Sequence, residues 1–175
     1  MLSRRLLFAL SGAAALTTAA ARAQSRNSGL SRLWTGLEFM DSEGQRFGLA
    51  DIRQPLKVVQ LWANWCPACL GEMSSLVSLA KNLGEQRAQV LLVSNPEDWR
   101  RDQLAAQRLK LPFRLATLSP NNSSTDTRAA LLNEQGAFVV PRSFVFLGTQ
   151  NTLAMQHLGT ANWADEGARL KARVG

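Results

Sequence analysis

The sequence predicts an α/β fold in which helices flank a central β-sheet. Two runs rich in branched and aromatic residues, LKVVQLWAN at 56–64 and AQVLLVS at 88–94, have the composition of buried strands. Between them, apolar residues recur at helical spacing from Cys66 to about Leu83, and Gly84 follows as a stop signal. Strands that alternate with helices are typical of layers packed around one sheet.

The remaining segments extend the same pattern. Residues 37–49 predict a short hairpin, because Asp41 to Gly44 supply a turn between two apolar stretches. Five further segments follow: a helix at 98–109, an extended stretch at 111–118, a polar loop leading into a short helix at 121–136, a strand pair at 138–148 and 151–159, and a closing helix at 162–174. The pattern contains neither an internal repeat nor a second domain.

The first 23 residues have the pattern of a cleaved signal peptide. Arg4 and Arg5 precede a mostly apolar run at 6–21, and Ala21-Arg22-Ala23 forms a small-x-small cleavage site. The run is shorter than the roughly 20 residues that span a bilayer. An uncleaved membrane anchor is the alternative interpretation, and the paired arginines also fit the twin-arginine export pattern.

We therefore expect three parts: a signal peptide at 1–23, a polar linker at 24–33 and one domain at 34–175. The mature protein is expected in a bacterial periplasm, where cysteines meet an oxidising environment. Removing the three arginines of the leader lowers the formal charge from +7 to +4. The other basic residues are scattered and form no stripe interleaved with aromatic residues, so we expect no nucleic-acid partner.

Both cysteines of the chain, Cys66 and Cys69, lie in the stretch WANWCPACLGEM at 62–73. Zinc needs about four ligands, and the single histidine, His157, is far away in sequence, so we expect no metal site. His157 is interpreted as an ordinary strand residue. A structural disulfide is a weak alternative, because closing so small a loop removes little entropy from the unfolded chain.

The position of the two cysteines favours exchange chemistry. Cys66 falls where a buried strand ends and a helix begins, with Pro67 in the first helical turn. Free N–H groups and the helix dipole at that point favour a thiolate. Cys69 lies one turn further in, where it is more shielded and can resolve a mixed disulfide. The pattern predicts a redox-active dithiol that needs no cofactor.

The motif WANWCPAC resembles the active site of the thioredoxin superfamily, and the resemblance runs from about Leu37 to the C-terminus. The opening at 37–66 resembles the extracytoplasmic TlpA/ResA-like branch of thiol–disulfide oxidoreductases. The resemblance implies a thioredoxin-like fold, with a central mixed β-sheet flanked by helices and an N-terminal β-hairpin extension. It also implies a cis peptide bond between Val140 and Pro141, beside the disulfide.

The same resemblance assigns the substrate-contacting residues. Trp65 is expected to be an exposed apolar lip next to Cys66, whereas Trp62 is expected in the core. The other substrate-binding candidates are Pro67, Val140 and Pro141. Arg142 and Ser143 replace the Thr-Thr pair that commonly follows the cis-proline, and Ser74 replaces a helix-kinking proline. The first change predicts an altered choice of substrate, and the second predicts a straighter helix.

Glu72 is the candidate proton carrier. It lies three residues after Cys69, so on a helix the two side chains share a face. Reductase-like members of the branch bury a glutamate at this offset, which implies that Glu72 accepts and returns the proton of Cys69. A solvated helix glutamate is the alternative. Gln60, six residues before Cys66, occupies the position of the buried acid of cytoplasmic thioredoxins and cannot titrate.

These features predict a thiol–disulfide oxidoreductase, and more narrowly a monomeric protein-disulfide reductase. Its expected partners are cysteine-containing exported proteins as substrates and a membrane electron donor of the thiol–disulfide type. Cytochrome c maturation is one process that the resemblance implies. The alternative is a copper-binding chaperone of the same fold that uses the two thiols as soft ligands. Such chaperones usually space their cysteines further apart and add a histidine.

Overall fold

A computed structural model describes residues 29–122, 128, 131–132 and 136–174. Its strands are β1 (Phe39–Asp41), β2 (Arg46–Phe47), β3 (Leu56–Leu61), β4 (Ala88–Ser94), β5 (Arg114–Leu118), β6 (Arg142–Leu147) and β7 (Thr152–Leu158). Its helices are α1 (residues 29–35), α2 (Pro67–Leu83), α3 (Trp99–Arg108) and α4 (Trp163–Val174). A short 3-10 turn covers Leu49–Asp51.

The strands form one mixed sheet in the order β2-β1-β5-β4-β3-β6-β7. β3, β4 and β5 run parallel, while β1, β2, β6 and β7 pair antiparallel with their neighbours. Every residue of β3 is buried, as expected for a run of branched residues in the middle of a sheet. The predicted α/β architecture with a central mixed sheet is confirmed, and β3 leads directly to the cysteine motif.

Each face of the sheet has its own apolar core. One core contains the two cysteines and joins α2 and α4 to the sheet, and it includes Trp62, Leu76 and Trp163. The other core lies under α1, where the fully buried Trp34 packs 4.5 Å from Phe144 between ring centroids. Burying an aromatic side chain of this size contributes on the order of 3 kcal/mol to stability. The predicted core position of Trp62 is confirmed, since its exposed fraction is 0%.

Three predicted segments differ from the structure or lie outside its described part. Of the segment 24–33, expected as a linker, the described residues 29–33 are helical, because the buried Trp34 anchors α1 to the sheet. The hairpin strands β1 and β2 pair with each other, and β1 also pairs with β5, so they belong to the main sheet. The expected signal peptide at 1–23 and most of the loop and short helix expected at 121–136 lie outside the described residues. Within the described part, no helix combines the length and apolarity that crossing a membrane requires.

Candidate active site

Cys66 and Cys69 form a disulfide at the point where the chain passes from β3 into α2. Their Cα atoms are 5.3 Å apart. Cys66 is the N-cap residue of α2, and its Sγ accepts a hydrogen bond from the backbone N–H of Cys69 at 3.1 Å. Pro67 occupies the first helical turn, where a missing N–H has no cost. In the reduced protein the backbone N–H of Cys69 and the N-terminal end of the helix dipole would face a Cys66 thiolate and stabilise its negative charge.

The two sulfurs differ in their access to solvent. Cys69 is 0% exposed and Cys66 is 4% exposed, so Cys66 is slightly the more accessible of the two residues. The helix itself runs without interruption past Ser74 to Leu83, and it ends at Gly84, whose φ of +84° suits a glycine. The continuous helix agrees with the expectation from Ser74.

The predicted substrate-contacting residues lie next to Cys66 in the chain and just before β6. Trp65 is 57% exposed, as predicted for its side chain, and Pro67 is also exposed. The bond between Val140 and Pro141 is cis, as predicted. Pro141 directly precedes β6, and Arg142 of β6 is the pairing partner of Leu61 at the end of β3. The cis-proline therefore lies at the edge of the sheet where the cysteine motif begins.

Glu72 is buried, with an exposed fraction of 5%. Its Oε1 accepts the backbone N–H of Ala161 at 2.6 Å, and its Oε2 accepts the side-chain amide of Gln60 at 3.3 Å. Burial raises the pKa of Glu72 above its ordinary value of 4.5. The Ala161 N–H, the indole of Trp163, the imidazole of His157 and the Gln60 amide oppose that rise. The solvated alternative for Glu72 is wrong.

Gln60 and Ser143 support Glu72 from the sheet below. Ser143 on β6 donates its hydroxyl to Oε1 of Gln60 at 2.5 Å, and this fixes the amide so that its Nε2 points at Glu72. Both residues are 0% exposed. From the sequence, Gln60 was notable only as a residue that cannot titrate and Ser143 only as a departure from Thr. Their contact depends on strand register, which no local pattern in the sequence reveals.

Asp98, the residue before α3, and Asp102 on α3 hold the loop before Cys66. No pattern in the sequence distinguishes these two acids. The fully buried Asp102 accepts both the backbone N–H and the side-chain amide of Asn64 on its Oδ1, at 2.7 and 2.6 Å. Asp98 accepts the indole N–H of Trp65 at 3.2 Å and also pairs with Arg101. The loop leading to Cys66 is therefore held by hydrogen bonds to residues more than 30 positions away in sequence.

Asp102→Ala is expected to destabilise the protein by about 2 kcal/mol, because the partly buried backbone N–H and side-chain amide of Asn64 lose their acceptor. Asp102→Asn keeps an acceptor oxygen at the same place and is expected to lower the free energy of unfolding by clearly less. Urea titration of both variants measures the free energy of unfolding. Equal stability of the two variants would mean that the Asn64 contact contributes little.

The comparisons with known proteins agree with this geometry. Residues 34–153 match the AhpC/TSA family. The chain belongs to this family. The sequence is similar to that of the thiol:disulfide interchange protein DsbE of Allochromatium vinosum. The two are 24% identical over 150 residues, which cover 77% of this chain and 76% of that protein.

Solved structures show that this AhpC/TSA member has the thioredoxin-like fold. A thiol:disulfide interchange protein of the thioredoxin family from Chlorobium tepidum superposes with a TM-score of 0.62 at 18% identity, covering 79% of this chain and 92% of that one. A secreted Mycobacterium tuberculosis disulfide oxidoreductase superposes with a TM-score of 0.58 at 16% identity, covering 81% and 97%. With its Cys66–Cys69 disulfide at the start of α2, this AhpC/TSA member is a thiol–disulfide oxidoreductase.

Proposed function

We propose that the protein is a periplasmic reductase of disulfides in exported proteins, and that Cys66, Cys69 and Glu72 are its catalytic residues. The observation that carries the proposal is the buried carboxylate of Glu72, one turn beyond Cys69 on the helix that begins at Cys66. A carboxylate buried at this place has a physical use in disulfide exchange, because Cys69 must lose a proton before it can attack.

The reaction begins on the reduced protein. The Cys66 thiolate attacks one sulfur of a substrate disulfide, forming a mixed disulfide and releasing the first substrate thiolate, which takes a proton from water. The Glu72 carboxylate then accepts the proton of the Cys69 thiol. The Cys69 sulfur attacks Cys66, the mixed disulfide breaks, and the second substrate thiolate leaves. That thiolate takes up one proton as Glu72 returns its own to the active site, which restores the carboxylate. Two electrons pass to the substrate, and Cys66–Cys69 is left oxidised.

The substrate is held by the residues around the disulfide. Trp65 and Pro67 offer exposed apolar surface beside Cys66. On the other side, Val140 and Pro141 precede β6, where an extended substrate segment can align its backbone with that of Val140. This arrangement suits unfolded or extended polypeptides that carry a disulfide, and it needs no bound cofactor.

The proposal includes a location and partners. The signal-peptide pattern at 1–23 and the similarity to a secreted Mycobacterium tuberculosis disulfide oxidoreductase favour the periplasm. In an oxidising compartment the oxidised protein needs two electrons after every turnover, so we propose a membrane-bound thiol–disulfide protein as the donor. The protein is proposed to act as a monomer on its exported substrates.

Reduction of insulin, combined with an equilibrium redox titration against glutathione, tests the proposed function. A reductase is expected to precipitate insulin in the presence of a chemical reductant, and its Cys66–Cys69 couple is expected to be more reducing than glutathione. A couple far more oxidising than glutathione would overturn the reductase direction. A stoichiometric copper complex of the reduced protein without insulin reduction would assign a copper-binding chaperone instead.

A further inference from the structure

An open groove lies between α2 and the segment that leads from α3 to β5. One of its walls is a stripe of α2 residues at helical spacing: Leu70, Met73, Ser74, Val77 and Lys81. The other wall is the segment 109–112, and the groove has a volume of about 620 Å³. The N–H of Leu70 donates to the backbone carbonyl of Cys66 at 3.1 Å. One end of the groove therefore lies a single helical turn from the disulfide.

The walls of the groove expose apolar side chains. Leu70 is 38% exposed and Leu109 is 51% exposed, and they share the groove with the half-buried Val77 and Leu111. A single exposed leucine is ordinary on a protein surface, whereas several apolar side chains gathered in one groove are typical of a surface that binds a partner. Their position beside the disulfide makes the polypeptide that reacts there the first candidate for that partner.

The charged residues of the groove have one sign. Lys81 and Lys110 line it and are exposed. Among the described residues no aspartate or glutamate lines the groove, and neither lysine forms an ion pair with another described residue. Charges that meet across an interface are usually of opposite sign. A partner that fills this groove is therefore expected to carry a carboxylate as well as an apolar side chain.

Lys110 has a backbone conformation that favours glycine. Its φ is +51°, just after the end of α3, and the N–H groups of Lys110 and Leu111 donate to the carbonyls of Gln107 and Ala106. Helices commonly end with a glycine in this left-handed conformation, because a side chain there has a steric cost. The lysine is therefore unfavourable for the fold at this position, but it places a positive charge at the groove.

We propose that this groove binds the polypeptide substrate next to its reacting cysteine, and that it selects a segment with an apolar side chain followed by an acidic one. This inference rests on the proposed function, since it takes a disulfide-bonded polypeptide as the substrate of Cys66. Along the axis of α2, Leu70 and Lys81 lie about 6 and 22 Å beyond Cys66. An extended polypeptide covers about 3.3 Å per residue. The apolar side chain is therefore expected about two to five residues from the reacting cysteine, and the acidic one about five to seven.

The rates at which the reduced protein reacts with a set of peptides test this selectivity. Each peptide has one cysteine in a mixed disulfide with thionitrobenzoate, and attack of Cys66 on the cysteine sulfur releases that coloured thiolate. The reference peptides have leucine three and glutamate six residues before or after the cysteine. The wild type is expected to react about 3- to 10-fold faster with one of them than with its lysine-for-glutamate counterpart. This preference should shrink at high salt, because salt screens exposed charges.

Two variants connect the selectivity to the groove. Lys110→Gly relieves the left-handed conformation, so it is expected to raise the urea midpoint and to lower the preference for glutamate by about 2- to 5-fold. Leu109→Gln is expected to lower the preference for leucine over alanine by a similar factor. Lys171→Gln and Leu104→Gln change an exposed lysine and an exposed leucine outside the groove, and these matched controls should keep the wild-type ratios. Wild-type ratios in both groove variants would overturn the proposal.

Binding without electron transfer separates the groove from the direction of the reaction. The oxidised protein is titrated with the reference peptides in which serine replaces the cysteine, and the backbone amide signals are followed by NMR. The signals of Leu70 and of residues 109–111 are expected to shift, and that of Lys171 is not. Groove signals that stay unchanged at millimolar concentrations of peptide would overturn the proposal, even for a protein that reduces insulin. Shifts in the groove of a protein whose couple proves oxidising would support the groove and refute the reductase function alone.

The oligomeric state distinguishes the substrate from a second copy of this chain as the occupant of the groove. Sedimentation of the wild type is expected to show no association through this face. A dimer that Leu109→Gln dissociates would assign the groove to a second copy and overturn the proposal.

Discussion

Cys66→Ser is expected to abolish disulfide exchange, whereas Cys69→Ser is expected to accumulate mixed disulfides between Cys66 and its substrates. Cys66 caps α2 and receives the N–H groups that stabilise a thiolate, so no other group replaces it as the nucleophile. We expect insulin reduction by Cys66→Ser to fall by more than about 10³-fold, as is usual when a nucleophile is removed. Cys69 is fully buried and serves only in the second step.

Mass spectrometry of protein that has reacted with a disulfide-bonded peptide checks the assignment. Cys69→Ser should carry one peptide on Cys66, and the wild type should carry none after resolution. The double variant Cys66→Ser/Cys69→Ser is the control for other modes of attachment. Stable adducts on Cys69 in the Cys66→Ser protein, with none in the reverse case, would mean that the two roles are exchanged.

Glu72→Gln is expected to slow disulfide exchange by about 10- to 1000-fold, because the change keeps the shape of the side chain but removes the proton acceptor. General acid–base catalysis contributes roughly 10²–10⁴-fold, and water can replace part of it. The resolution step should carry the loss, while the first attack by Cys66 should be nearly unaffected. Stopped-flow measurement of both steps distinguishes them. Glu85→Gln, an exposed change just beyond α2, is the control.

The same variant should alter how stability depends on pH. Since burial raises the pKa of Glu72, the folded protein binds this proton more tightly than the unfolded chain does. The stability that this proton contributes is therefore fully present below about pH 4.5, the ordinary pKa, and is lost as the pH rises through the raised pKa of Glu72 in the folded protein. Relative to the wild type, Glu72→Gln should gain stability as the pH rises over that range. Urea titrations from pH 4 to 8 measure the free energy of unfolding of both proteins, which should have about the same m-value. If Glu72 were solvated, the difference between these two free energies would stay constant over that pH range.

The motif and the order of elements could be predicted from local signals. Strand β3, the helix beginning at Cys66 and its end at Gly84 each have a signature within a few residues, and these positions agree with the structure. Burial of Glu72 followed from its helical spacing to Cys69 together with the resemblance to a family. The cis bond at Pro141 depended on the resemblance alone, since most bonds before proline are trans.

The supports of the site could not be predicted, because they depend on tertiary placement. Asp102 is one of several acids in a polar helix, and only its packing against Asn64 distinguishes it. His157 lies on β7, as predicted for a strand residue, and the pairing of Gln60 with Ser143 appears only in the register of β3 and β6. The helix at 29–35 is not predicted from its own residues, because it depends on the burial of Trp34 against the sheet.

The attachment of the Cys66 loop to α3 has a consequence for protein engineering and for divergence among relatives. Because Asp98 and Asp102 hold Trp65 and Asn64, the motif WANWC is not a self-contained module that can be moved between scaffolds. If the motif were transplanted without these two acids, its loop would lose the hydrogen bonds that hold Asn64 and Trp65. Two relatives that share every letter of the motif can therefore differ in how firmly its loop is held, through substitutions at positions equivalent to Asp98 and Asp102.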